Sequence, residues 1–175
     1  FNLDEYVGLG PDNPHSYRHF MQSRLFDHVN LDPRNTHLPD GLADDLTREC
    51  TEYERTIAES GGIDLQILGI GVAGHIGFNE PSSSLRSRTR VKTLTKQTLK
   101  DNSHLLAQDE FQPKLAITMG IATIMDARRI LLLATGTNKA EAVRKTVEGP
   151  VSAMCPASVL QMHERVTVLL DEAAA

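Results

Sequence analysis

Hydrophobic positions follow two periods that take turns along the chain: three-and-four spacing in some stretches, short continuous or alternating runs in others. From about His15 to His28, Tyr17, Phe20, Met21 and Leu25 fall on one face of a predicted helix. A second helix is predicted after Asp40, with Leu42, Leu46, Cys50, Tyr53 and Ile57 along one side and Gly61-Gly62 as its stop. Ile63 to Leu68 then reads as a mostly apolar strand, Arg90 to Leu94 as a short alternating strand and Thr95 to Leu106 as a polar helix. Further on come a strand over Lys114 to Gly120, a helical turn over Ile121 to Asp126, an apolar strand over Arg129 to Ala134, a helix over Ala140 to Glu148 and a last strand over Val166 to Leu170. An opening strand, Phe1-Asn2-Leu3, puts Asp4 and Glu5 at its carboxyl end. Alternating strands and helices predict an α/β layered fold with a largely parallel sheet.

Composition narrows the class. At 175 residues and 40% hydrophobic, the chain suits a single domain over 1–175 and has no apolar run long enough to span a membrane. The net charge of −5 comes without basic clustering, so nucleic acid is disfavoured and an anionic substrate must be held by local groups. Cys50 and Cys155 form neither a metal pattern nor a disulfide framework, which fits a reducing cytosol and plain packing roles. The text lacks an initiating methionine and opens within a strand, so the reading is of a domain without its N-terminal elements.

Three groups carry candidate chemistry. The first is Asp4-Glu5, carboxylates at a strand end where ligands of parallel sheets gather, although such residues are commonly just solvated. The second is the run from Gly69 to Pro81, in which Gly69, Gly71, Gly74 and Gly77 let backbone approach a bound molecule. There His75 supplies an acid/base group and Glu80, five positions on, can fix its tautomer and raise its basicity. A tight turn whose histidine caps a carbonyl is the plainer alternative. The third is Thr135-Gly136-Thr137-Asn138-Lys139 at a strand-to-helix junction, where amides and a lysine suit a phosphate, or else simply cap a helix. Together they suggest proton transfer on a phosphorylated small molecule, needing no metal or redox cofactor; His15, His19, His28 and His37 have no ligand-like companions.

Several of these motifs in order resemble the glucosamine-6-phosphate deaminase family of sugar-phosphate isomerases: Phe1 to Leu9, Gly74 to Pro81, Ser87 to Arg90, Leu115 to Gly120 with Thr123-Ile124, and Lys139-Ala140 with Val147 to Gly149. The resemblance implies a Rossmann-like three-layer α/β/α fold, a cytoplasmic homo-oligomer without cofactor, and conversion of glucosamine 6-phosphate to fructose 6-phosphate and ammonia in amino-sugar catabolism. It implies roles too. Asp4 is the base between carbons 2 and 1, His75 assists ring opening, Glu80 orients His75, and Gly69, Gly71, Gly74, His104 and Lys139 bind substrate. Ser83, Arg90, Lys92 and Thr93 match an allosteric site for an N-acetylated sugar phosphate.

Two positions depart from the family pattern. Ala73 replaces the aspartate or asparagine that helps hold the histidine, and His104 replaces an arginine whose bidentate fork grips phosphate. They leave two further readings: a catalytically impaired sugar-phosphate-binding regulatory module, and a 6-phosphogluconolactonase-like hydrolase. The run Phe78-Asn79-Glu80-Pro81 argues against the hydrolase, because lactonases resemble only the Gly-His part.

Overall fold

The computed structural model describes residues 1–95 and 113–175, so all but the first residue of the predicted Thr95 to Leu106 helix, and with it His104, lies outside the described residues. In chain order the elements are β1 (Asp4–Tyr6), α1 (Tyr17–Arg24), α2 (Leu46–Glu59), β2 (Gln66–Gly69), β3 (Arg90–Thr93), β4 (Leu115–Thr118), α3 (Ile121–Met125), β5 (Ile130–Ala134), α4 (Ala140–Val147) and β6 (Val166–Leu170). Short 3-10 turns occur at Phe26–His28, Pro33–Asn35, Thr137–Lys139 and Pro156–Met162. The residues group into two compact units, Phe1–Tyr53 with Arg90–Thr118, and Glu54–Thr89 with Met119–Ala175.

The first unit is built on a sheet of order β1-β4-β3 in which both pairings are antiparallel. A largely parallel sheet was the expectation, and an apolar run such as Ala116-Ile117 carries no information about which way its neighbours point. Asp4 and Arg90 flank the same residue, Thr118, in adjacent ladders. Asp4 opens β1 rather than following it, because Asn2 sends its amide to the His37 carbonyl, 2.9 Å away, and Phe1 stacks on the His37 ring instead of joining a ladder. The α1 helix is shorter than its periodicity suggests, and its apolar stripe is not a core face: Tyr17 is half-buried against Tyr6, no residue of the helix is fully buried, and Phe20 is 44% exposed. Leu42 precedes α2 and lies open to solvent; the helix starts at Leu46 because the Asp45 carboxylate accepts from the amides of Thr47 and Arg48 at 3.0 Å. Cys50, Tyr53 and Ile57 are buried as predicted. Gly61 and Gly62 terminate α2 with left-handed backbone, and the Gly62 amide returns to the Ile57 carbonyl at 2.9 Å.

The second unit holds the parallel sheet, order β2-β5-β6, with rows such as Leu68↔Leu132↔Val168. Leu68, Ile130 and Leu132 are almost wholly buried on one face, each contributing about 1.5–3 kcal/mol relative to exposure. The other face presents Ile67, Leu133 and Leu169 to solvent. Both β2 and β5 therefore deliver their carboxyl ends to the same edge, where the loops after Gly69 and Ala134 begin.

Candidate active site

The loop after β2 is shaped around its histidine. The Gly71 amide donates to the His75 carbonyl at 2.9 Å and the Gly74 amide to the Gly71 carbonyl at 2.9 Å, closing a tight turn that requires positive φ at Gly74 (+76°). The imidazole folds back over Gly71, whose missing side chain leaves it room. Gly74 is backed by Cys155, whose sulfur lies where a β-carbon on Gly74 would be, and its carbonyl accepts the Ala157 amide at 2.8 Å. Gly71 and Gly74 thus hold the histidine in place by the space they leave, a packing role that sequence alone does not separate from ligand approach.

His75 and Glu80 are brought together as predicted. Nδ1 lies 3.5 Å from Glu80 Oε2, with the side chains only 18% and 12% exposed. A carboxylate at this place favours the Nδ1-protonated ring and leaves Nε2 as the basic nitrogen. Between them runs a buried hairpin, Ile76 bridged to Asn79, in which Ile76 and Phe78 fill the core. Asn79, wholly buried, pins it: its Nδ2 donates to the carbonyls of Ile76 (2.9 Å) and Met119 (2.8 Å). Ala73 sits exposed on the loop.

The junction after β5 is less open to an anion than its sequence suggests. The Gly136 amide already donates to both carboxylate oxygens of Asp171 at 3.0 Å, and the Lys139 amide to the Gly136 carbonyl at 2.9 Å. Asp171, just past β6, supplies the negative charge that the amides attract, and the half-buried Lys139 closes the 3-10 turn before α4. Gly69, at the end of β2, borders open space, with no atom within 4 Å of a built β-carbon among the described residues.

Of the remaining candidates, Asp4 is half-buried on β1, and Arg90, Lys92 and Thr93 lie on β3, all four in the first unit. Burial holds the Arg90 guanidinium below its ordinary range. Ser83 belongs to the second unit and is 3% exposed, so its hydroxyl is closed to solvent. Sequence reasoning passed over Glu54, which organises the segment before β3. Its Oε1 accepts from the Thr89 amide (2.8 Å), the Thr89 hydroxyl (2.6 Å) and the Thr123 hydroxyl, and its Oε2 lies 3.7 Å from Arg88, which also pairs with Asp126. A lone glutamate on a helix reads as solvated, and its partners come from distant parts of the chain.

The family model described as glucosamine-6-phosphate isomerases/6-phosphogluconolactonase matches residues 4–169. Glucosamine-6-phosphate deaminases of Shewanella woodyi and Hahella chejuensis are 58% and 61% identical over the whole chain, which covers 66% and 67% of them. The chain thus spans about two thirds of the length of these curated relatives. Among solved structures, a monomeric glucosamine-6-phosphate deaminase superposes with a TM-score of 0.96 at 50% identity, over 99% of this chain and 72% of that one. A 6-phosphogluconolactonase from Trypanosoma cruzi gives 0.72 at 20% identity, over 100% of this chain and 70% of its own, a likeness of fold alone. The expected α/β class is therefore met by relatives as well as by the parallel sheet, and the chain belongs to the glucosamine-6-phosphate isomerase/6-phosphogluconolactonase family.

Proposed function

We propose that the protein is a glucosamine-6-phosphate deaminase, converting glucosamine 6-phosphate and water into fructose 6-phosphate and ammonia. The observation that carries this reading is the largely buried His75–Glu80 pair on the loop after β2. Deaminases 58–61% identical along the whole chain support it. His75, oriented by Glu80, opens the pyranose by taking the anomeric hydroxyl proton and passing it to the ring oxygen as the bond between carbon 1 and that oxygen breaks. Asp4 then removes the proton on carbon 2 of the open amino aldose and delivers it to carbon 1. The resulting ketose imine adds water and loses ammonia. Lys139 neutralises the substrate phosphate as a point charge, with Gly69 allowing close approach, Gly71 and Gly74 seating the histidine beside it, and His104 as a weaker phosphate contact. A positioned base contributes about 10² to 10⁴ in rate.

Ser83, Arg90, Lys92 and Thr93 remain proposed effector residues for an N-acetylated sugar phosphate; reaching Ser83 requires its cover to open. A cytoplasmic location and a homo-oligomer belong to the same proposal. A monomeric deaminase stands among the relatives, so light scattering of the full-length protein decides the second point.

The test is to incubate the full-length protein with glucosamine 6-phosphate, and separately with 6-phosphogluconolactone, and to assay ammonia, fructose 6-phosphate and lactone hydrolysis. Stoichiometric ammonia and fructose 6-phosphate support the reading. Lactone hydrolysis alone, or sugar-phosphate binding without turnover, overturns it.

A further inference from the structure

Glu5 is 2% exposed, yet its carboxylate is directed at backbone. Oε1 accepts from the amides of Tyr6 (2.8 Å) and Tyr17 (3.0 Å), and Oε2 from the amide of Arg18 (2.8 Å). Tyr17 and Arg18 are the first two residues of α1, and the next amide, His19, donates to Ser16 Oγ at 3.0 Å. The first turn of a helix has no internal acceptors for its amides, and it favours negative charge. Glu5 and Ser16 together satisfy the opening amides of α1, and Glu5 does so from a different element. Burial pushes the Glu5 carboxyl up, and the three amides oppose that rise.

The consequence falls on Asp4. β1 is three residues long and, among the described residues, pairs with β4 alone, so its ladder is short. The clasp to α1 is a second anchor. Alternation along a strand turns Asp4 to the opposite face from Glu5. The same clasp fixes Tyr17, whose ring stacks on Tyr6 with centroids 5.1 Å apart and which feels the charge of Asp4.

We infer that Glu5 is a positioning residue for Asp4: by bolting the start of α1 to β1 it fixes where the Asp4 carboxylate stands. The inference rests on the deaminase reading, in which Asp4 is the base. A displacement of about 1 Å at a reacting group can lower turnover about 100-fold.

The experiment compares full-length wild type with Glu5→Ala and Glu5→Gln. It measures kcat, KM, thermal unfolding and the titration of the Asp4 carboxyl by carbon-13 NMR. Glu5→Ala is expected to lower kcat about 10- to 100-fold with KM within about threefold, and to move the Asp4 midpoint by about half a pH unit or more. Glu5→Gln keeps an oxygen for Tyr6 and Tyr17 and recovers most of the lost kcat. A folded Glu5→Ala with wild-type kcat and an unmoved Asp4 midpoint overturns the inference. So does a loss that merely tracks the unfolded fraction and that Glu5→Gln leaves unrepaired. If wild type releases no ammonia, the deaminase reading fails and the Asp4 titration alone decides the part of Glu5: a midpoint that moves further in Glu5→Ala than in Glu5→Gln, which lacks the same charge, upholds it, and equal midpoints in the two variants overturn it.

Discussion

The imidazole of His75 lies over the bare α-carbon of Gly71: a β-carbon there would collide with its Cε1 and Nε2. Glycine is needed at this position for space, since φ at Gly71 is not among the positive values of the chain.

Gly71→Ala therefore strains no backbone but drives the ring from its place beside Glu80. The expected outcome is a drop in kcat of about 100-fold with little change in unfolding temperature. Gly61→Ala is the control. It meets nothing within 4 Å but sits at φ +85°, so it lowers stability by about 1 kcal/mol and leaves turnover alone. Steady-state kinetics and thermal melts of both variants check the pair.

Asn79 links the loop to the carbonyls of Ile76 and Met119 from a wholly buried position. Asn79→Ala leaves two buried acceptors without their donor and should destabilise by about 2–4 kcal/mol. Asn79→Asp should be worse, because a carboxylate faces the same carbonyls. Urea denaturation followed by circular dichroism measures both.

Glu54 gathers Thr89, Thr123 and Arg88 around one carboxylate. Glu54→Ala is expected to cost about 2–3 kcal/mol and Thr123→Val about 1 kcal/mol. The two share a bond, so the double variant should be less destabilised than their sum by about 1 kcal/mol. Additive losses would show that the hydroxyl bond contributes nothing.

How much of this could be read from residues alone follows from the range of the interactions. The carboxyl-edge loops after β2 and β5, and the meeting of His75 with Glu80, depend on local spacing and were predicted correctly. The antiparallel sheet, the exposed Phe20 and the hub at Glu54 depend on partners far along the chain, which periodicity does not specify. Asp171 on the Gly136 amide is the same kind of case: the junction was read as a place for a substrate phosphate or a capped helix start, and the carboxylate 35 residues on was invisible until the sheet brought it there.

Alkaline pH tests the packing around Tyr17 and Tyr53. Burial, reinforced by nearby charge including Asp4, raises both phenols above their ordinary range. Unfolded tyrosine ionises near pH 10, so above about pH 10 the folded state keeps protons that the unfolded state has lost, and stability falls as pH rises. Below about pH 10 this contribution is fully present. Absorbance at 295 nm should show these two phenols ionising only together with unfolding, and ionisation in the folded protein near pH 10 would contradict their burial.

The most direct measurement follows the carbon-bound proton. Full-length wild type and Asp4→Asn are each given glucosamine 6-phosphate in deuterium oxide, and the product is read by NMR for fructose 6-phosphate and for deuterium at carbon 1. The account predicts product from wild type and a loss of at least about 100-fold in Asp4→Asn, with substrate binding retained. Unchanged turnover in Asp4→Asn would contradict it, because no other group is assigned to move that proton.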